Sequence, residues 1–375
     1  MKKTALLSFV ITLLSSFTLV GCTSNKPIAR LAVNSKSYVL QKNGEGNGGN
    51  DNQKETLALE ITLENTSNKS INTIFQDDFC LYDKEGNQIS VDTDVYDQSG
   101  TFKTMSSFAL DPNKKKTGYL AFKVDKGEEY KLHYKPAIYD TSNKKVKDSI
   151  VEIDTSKIED GSPEMQKLTA SYINQVFMNK SNDTAQLNSK NEETTNLSNS
   201  EEKNQTLDIN ITQAKNDFNK KFSELIIADL QSSGATYEPT SDEIKNIITA
   251  VQERNFSQGS VEYSVEELFP KSAIIYIKPK VMNFGSIDMS STIEKKLSKS
   301  DITDTDKRLN TATKILVQEL PKEIEKAPVD TPNYMDEEGY KLVLSKTKED
   351  KWIFNSNSFD NYSYSDLESA FMAGE

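Results

Sequence analysis

The chain has 375 residues, with 45 Lys and Arg against 57 Asp and Glu and a formal charge of −12. Apolar residues make up 35% and include 16 Phe and 15 Tyr, which suits small cores separated by solvated segments. The acidic balance argues against a nucleic-acid partner, which needs a basic stripe to neutralise phosphates. One His and two Cys exclude a zinc site built from several such ligands.

At the N-terminus, Lys2 and Lys3 precede a mostly apolar stretch from Ala5 to Val20, interrupted by Ser8, Thr12, Ser15, Ser16 and Thr18. Its 16 residues would make about 24 Å of helix, short of the ~30 Å needed to span a bilayer core. A secretory signal is the better reading. The stretch ends in Leu19-Val20-Gly21-Cys22, which resembles the lipobox of bacterial lipoproteins. That resemblance implies a signal peptide over residues 1–21 and a diacylglyceryl thioether on Cys22, with acyl chains such as palmitate. The mature chain would then sit on the outer face of the cell membrane. Two acyl chains hold where one is marginal, at about 0.8 kcal/mol per buried CH₂. Loss of residues 1–21 leaves 43 Lys and Arg against 57 acids, a charge of −14. Cys80 is then the one cysteine besides Cys22, so no intrachain disulfide is expected.

From Ile28 to Asp154 the pattern has period 2. Leu57, Leu59, Ile61 and Leu63 alternate with Ala58, Glu60 and Thr62, which places one face inward and the other toward solvent. Leu120, Phe122 and Val124 repeat the pattern, as do Tyr130, Leu132 and Tyr134. Turn formers such as Asn65-Thr66-Ser67-Asn68 and Asp111-Pro112-Asn113 separate the runs. An all-β sandwich over residues 28–155 is expected.

Ser162-Pro163 starts a helix within residues 156–178, with Met165, Leu168, Tyr172, Ile173 and Val176 at helical spacing. Residues 179–210 are rich in Asn, Ser, Thr, Glu and Lys and read as a polar linker or loop. Residues 211–375 form a third, mixed part. Phe218, Phe222, Leu225, Ile226 and Leu230 share a helix face, and Thr240 to Glu243 is a capping box before Ile244, Ile247, Ile248 and Val251. Strands are expected over Ser260–Glu266 and Ala273–Met282, a helix from Thr305 to Leu320, and a closing hairpin of Tyr340–Ser345 and Lys351–Asn355.

Two helices, a strand pair, a helix and a hairpin ending in Asp350-Lys351-Trp352-Ile353 resemble the nuclear-transport-factor-like, cystatin-related cone fold. The run from Leu81 to Asn87 and that from Leu110 to Phe122 resemble an immunoglobulin-like domain of low-GC Gram-positive lipoproteins. In that family a Gly often follows the Pro of the second turn, where this chain has Asn113. Together the resemblances imply an α+β multidomain chain: an immunoglobulin-like β-sandwich, a polar linker and an α+β cone-like domain. Neither implies an assigned reaction or a cofactor.

Candidate chemistry is sparse. Gly44, Gly46 and Gly49 match G-x-G-x-x-G but lead into the strand at Leu57, so a hairpin loop is favoured over a dinucleotide site. Asp92, Asp94 and Asp97, and Asp301, Asp304 and Asp306, are acidic clusters without the Gly and Glu of a Ca²⁺-binding loop. Solvated or helix-capping acids are the reading for both. His133 is expected to point outward, opposite Leu132 and Tyr134, and Cys80 to be a small strand or core residue. Apart from Cys22 no site residue is assigned, and no catalytic, metal or cofactor site is expected. The expected function is non-catalytic binding of an envelope protein, peptide or small ligand by a membrane-anchored lipoprotein. The alternatives are a carboxylate-using enzyme in the cone and a structural spacer.

Overall fold

A computed structural model describes residues 27–42, 54–136, 146–180, 207–300, 302–354 and 362–373. The first half contains β1 (Ala29–Gln41), β2 (Glu55–Asn65), β3 (Ile71–Ile74), β4 (Phe79–Tyr82), β5 (Gln88–Ser90), β6 (Phe108–Leu110), β7 (Lys115–Val124), β8 (Glu129–Tyr134) and β9 (Ser149–Asp154). β2 lies between β1 and β7 in antiparallel register, and β5, β4, β8 and β9 form a second antiparallel sheet in that order. Leu57, Leu59, Ile61 and Leu63 of β2 meet Phe79, Leu81, Leu132, Tyr134 and Ile153 in one core, so the two sheets are stacked face to face.

The second half contains α1 (Ser162–Val176), α2 (Ile211–Ser232), α3 (Ser241–Gln258), β10 (Ser260–Leu268), β11 (Ser272–Met282), α4 (Ser290–Leu297), α5 (Thr305–Ile324), β12 (Val329–Asp330), β13 (Tyr340–Lys346), β14 (Trp352–Phe354) and α6 (Tyr362–Ala373). β10, β11, β13 and β14 pair antiparallel in that order. One sheet face carries Val265, Ala273, Ile275, Ile277, Leu342 and Leu344 into a core shared with α1, α2, α3 and α6. The whole is a mixed α/β chain with several sheets and six helices among the described residues.

The two halves share a sheet. β1 is 13 residues long, and beyond its pairing with β2 it places Leu40 opposite Leu268 and Gln41 opposite Glu267. The order β14-β13-β11-β10-β1-β2-β7 is therefore continuous. A second connection is the segment between β5 and β6. It lies over the outer face of β2, where Ala58, Tyr119, Ala121, Phe102 and Phe269 form a small third core. Period 2 alone places Ala58 toward solvent; it is buried because Phe102 stacks on Tyr119 at 4.7 Å and packs tilted against Phe269 at 5.2 Å.

Other differences have local causes. α4 and α6 go beyond the expected elements, yet Leu367, Ala370 and Phe371 of α6 are fully buried in the second core. Asn255 anchors α6 there, donating to the Phe371 carbonyl at 3.2 Å and accepting from the Met282 amide at 2.7 Å. α1 also packs in this second core, through Met165, Tyr172, Ile173 and Val176, although the expected linker comes after it in sequence. Of that linker, residues 181–206 lie outside the described residues. Its ends are fixed: Lys180 donates to the Asn174 carbonyl at 2.9 Å, and Asp208 donates to the Trp352 carbonyl at 2.8 Å. Residues 181–206 therefore connect two helices of the same core.

Candidate functional site

α2 and α5 both pack against α3, and an apolar groove lies between them. An i, i+3, i+4 set brings Phe222, Leu225 and Ile226 to one face of α2, and Leu316 and Leu320 do the same on α5. The floor is Ile247 of α3, and the turn from Phe284 to Met289 closes one side. Asn210 caps α2 by accepting from the Gln213 amide at 3.0 Å. Asp304 caps α5 in the same way, accepting from the Lys307 amide at 2.9 Å. Both wall helices are thus well defined at their starts. The groove encloses about 420 Å³, within the range of small-molecule sites. Among the described residues two polar ones line it, Asp229 and Ser369. Leu225 is 43% exposed at its mouth. Such a surface removes an apolar group from water and offers one carboxylate to whatever lies at the rim.

A larger concavity of about 640 Å³ lies at one end of the four-stranded sheet, lined by Tyr82, Lys84, Glu85, Glu129, Lys131 and Glu152 among others. Lys84 on its rim pairs with Glu128 at 2.9 Å. It has no apolar floor comparable to the groove.

Among the described residues the most connected acid is Asp97, in the segment joining the halves. Oδ2 accepts from the Ser99 hydroxyl at 2.7 Å, the Thr101 amide and hydroxyl at 2.6 and 2.8 Å, and the Phe102 amide at 2.9 Å. Oδ1 accepts from the Ser99 amide at 2.8 Å and from the hydroxyl of Ser272 on β11 at 3.0 Å. Burial alone would raise its pKa, but the Ser99 hydroxyl, the Phe102 amide and the other donors outweigh that and hold it below the usual carboxylate value. Next to it, Gln98 donates to Glu267 at 2.7 Å and accepts from Lys341 at 3.0 Å. Glu267 is almost wholly buried, and this pushes its pKa up, with the Asp97 charge adding to the effect. These groups satisfy one another and join the halves.

Of the residues that the sequence pattern marks out, Cys22, Gly44, Gly46, Gly49 and Asp301 lie outside the described residues. In the first acidic cluster, Asp92 lies 3.7 Å from Lys123 and Asp94 is exposed. Asp97, expected to be solvated, is instead 4% exposed, because its donors come from the turn it closes. Asp304 caps a helix, as a carboxylate at a helix start should, and Asp306 sits in the first turn. His133 points away from Leu132 and Tyr134 but is only partly exposed. Its Nδ1 is 3.4 Å from Asp148 and its ring lies edge-on to Tyr82 at 4.7 Å. Cys80 is buried as a free thiol. Among the described residues no three His, Cys, Asp or Glu side chains are placed to hold a metal ion. The sequence pattern picks out the α2 face of the groove, but not that α5 and the 284–289 turn stand off from it.

Residues 25–146 match a family described as a domain of unknown function, DUF4352. The chain is 24% identical over 390 aligned residues to the uncharacterized lipoprotein YcdA of Bacillus subtilis strain 168, covering 97% of each. The crystal structure of ycdA from that organism superposes with a TM-score of 0.56 at 21% identity, covering 93% of this chain and 98% of that one. The yjhA protein of Bacillus subtilis is 25% identical over 36% of this chain and 98% of its own, with a TM-score of 0.26. The likeness to the ycdA crystal structure extends to the fold, so the mixed α/β arrangement of both halves is common to a lipoprotein of similar length.

Proposed function

We infer that this protein is a lipoprotein held on the outer face of the cell membrane through Cys22, and that it binds an apolar ligand without turning it over. The observation that carries the binding reading is the groove between α2 and α5, which is apolar apart from Asp229 and Ser369. Among the described residues Asp229 is its one acid, which does not favour a catalytic carboxylate pair. The anchor reading is supported by Leu19-Val20-Gly21-Cys22 and by the likeness to an uncharacterized lipoprotein.

The first half reads as an immunoglobulin-like sandwich and the second as a nuclear-transport-factor-like module. Stacked antiparallel sheets support the first, and a four-stranded antiparallel sheet with helices on one face supports the second. The sandwich acts as a spacer. At ~3.3 Å per residue, β1 alone separates its Ala29 end from β10 by about 40 Å. Two experiments test the reading. Labelled palmitate enters the wild type and not Cys22→Ala; equal labelling of both refutes the anchor. Straight-chain fatty acids of increasing length raise the melting temperature of the purified protein progressively, with no product formed. A flat response, or turnover, refutes the binding reading.

A further inference from the structure

With Cys22 acylated as proposed above, the short tether keeps the Pro27 end of the body near the bilayer, and docking there rests on that anchor. Pro27 is five residues beyond Cys22, so the two Cα atoms are at most about 18 Å apart. Pro27 sits at one end of the sandwich: its carbonyl accepts from the Thr66 hydroxyl at 3.2 Å, and Ile28 accepts from the Thr66 amide at 2.9 Å. Two turns and a strand start share that end. Asn65 donates to the Lys69 carbonyl at 2.8 Å and accepts through its own carbonyl from the Asn113 amide at 3.0 Å. Ser149, at the start of β9, donates to the Ala29 carbonyl. The groove-bearing half attaches at the other end of β1.

The tethered end is basic in a chain whose mature charge is −14. Lys69, Lys114, Lys115 and Lys147 are exposed there, and none makes an ion pair among the described residues. Its acids are mostly engaged: Glu64 with Arg30, Asp148 with His133, and Asp111 as acceptor from Ser70 at 3.0 Å. Asp77 and Asp111 are the exposed acids nearby among the described residues. Two of the five large apolar side chains most exposed among the described residues, Phe75 and Ile150, also lie at this end. Ile150 pairs with His133, and the turn after Phe75 accepts the Lys135 amide through Asp78 at 2.7 Å. At the opposite end of the same sandwich, Glu55, Asp83, Glu85, Asp125, Glu128, Glu129, Glu152 and Asp154 outnumber Lys36, Lys54, Lys84, Lys123, Lys126 and Lys131. Charge is therefore segregated along the axis that the tether defines.

We propose that the tethered end docks on an anionic phospholipid surface, with Lys69, Lys114, Lys115 and Lys147 over the headgroups and Phe75 and Ile150 at their level. A basic cluster within a Debye length of an anionic surface (about 8 Å at physiological salt) is attracted to it, while the acidic end and the groove are turned away. The docked sandwich stands upright, so the acyl anchor sets proximity and the lysines set orientation.

The test uses the mature chain from residue 22 with Cys22→Ser, which carries no acyl group. Anchoring and docking can therefore fail independently, the former being read by palmitate labelling. The chain is sedimented with vesicles of phosphatidylglycerol or of phosphatidylcholine. It partitions onto the first and not the second, and the partition falls as salt rises. Replacing the four lysines by Gln lowers the partition at least about tenfold, a discount on about fivefold per lysine because the body of the chain is acidic. Replacing Lys84, Lys126 and Lys131 by Gln leaves it unchanged, and both variants keep the wild-type melting temperature. Equal partition onto both lipids, equal loss in the two variants, or retention by soluble polyphosphate without binding to vesicles overturns the proposal.

Discussion

Replacing Asp97 by Ala tests whether the segment between β5 and β6 locks the halves together. Six hydrogen bonds end on this carboxylate. The Ser99 and Thr101 donors lie near solvent and can turn to water once it is gone. The Phe102 amide and the Ser272 hydroxyl are buried and cannot. Two stranded buried donors cost about 1–3 kcal/mol each, and Ser272 can rotate, so the expected loss is about 3 kcal/mol. Urea denaturation is the assay, followed by far-ultraviolet circular dichroism for both halves and by fluorescence of Trp352, the single tryptophan, for the second core. Asp97→Ala lowers the circular-dichroism midpoint and separates it from the fluorescence midpoint, because the halves then unfold less cooperatively. Asp94→Ala, at an exposed position, changes neither. A loss below about 1 kcal/mol, or the same loss from Asp94→Ala, would refute the reasoning. The folded-state pKa of Asp97 is depressed. Its contribution is therefore present above about pH 4 and lost as the pH falls through the folded value.

The Thr240 capping box makes a second pH prediction. Glu243 accepts from the Thr240 amide at 2.9 Å, which with further bonds from Tyr237 and Gln318 holds its pKa at about 2. Acid titration of the melting temperature therefore shows a decline between about pH 4.5 and 2 that is shallower in Glu243→Gln, and Thr240→Ala costs about 1 kcal/mol in urea. Gly339 has φ +99°, and a Cβ there would meet the Ile277 carbonyl oxygen at 2.6 Å; Gly127, at φ +82°, has open space around it. Gly127→Ala should cost about 1–2 kcal/mol and Gly339→Ala clearly more, and equal midpoints for the two would contradict the close approach. Asn255→Leu removes both bonds that tie α3 to β11 and α6 and should cost about 2–4 kcal/mol.

Much of the fold was legible because its signals are local. The alternation Leu57-Leu59-Ile61-Leu63 and the capping box at Thr240 each lie within one element, and both are found where the residues put them. The hairpin of β13 and β14 was readable from Thr347 to Asp350, and Asp350 does adopt φ 61° there. α6 carried a usable signal, Leu367, Ala370 and Phe371 at i, i+3 and i+4, that its short length obscured. What sequence could not supply was long-range. The pairing of Leu40 with Leu268 follows from no pattern in β1, whose first eleven residues, Ala29 to Val39, already lie along a different partner. Asp97 looks like any turn acid until Ser272, far along the chain, meets it. The groove needed three helices whose facing residues are each ordinary core positions in the sequence; the space between them is a property of their packing.

The claim that the groove binds an apolar ligand is tested most directly by titrating the protein with the dye N-phenyl-1-naphthylamine and following its fluorescence. Leu225 stands at the mouth and is substantially exposed, so Leu225→Arg alters the entrance without opening the core. Tyr334→Arg, at a position 83% exposed and outside the groove, is the control. The wild type and the control bind one dye per chain, and Leu225→Arg weakens binding at least about tenfold, about 1.4 kcal/mol, with an unchanged urea midpoint. No saturable binding by the wild type, or equal affinity in Leu225→Arg, would contradict the account.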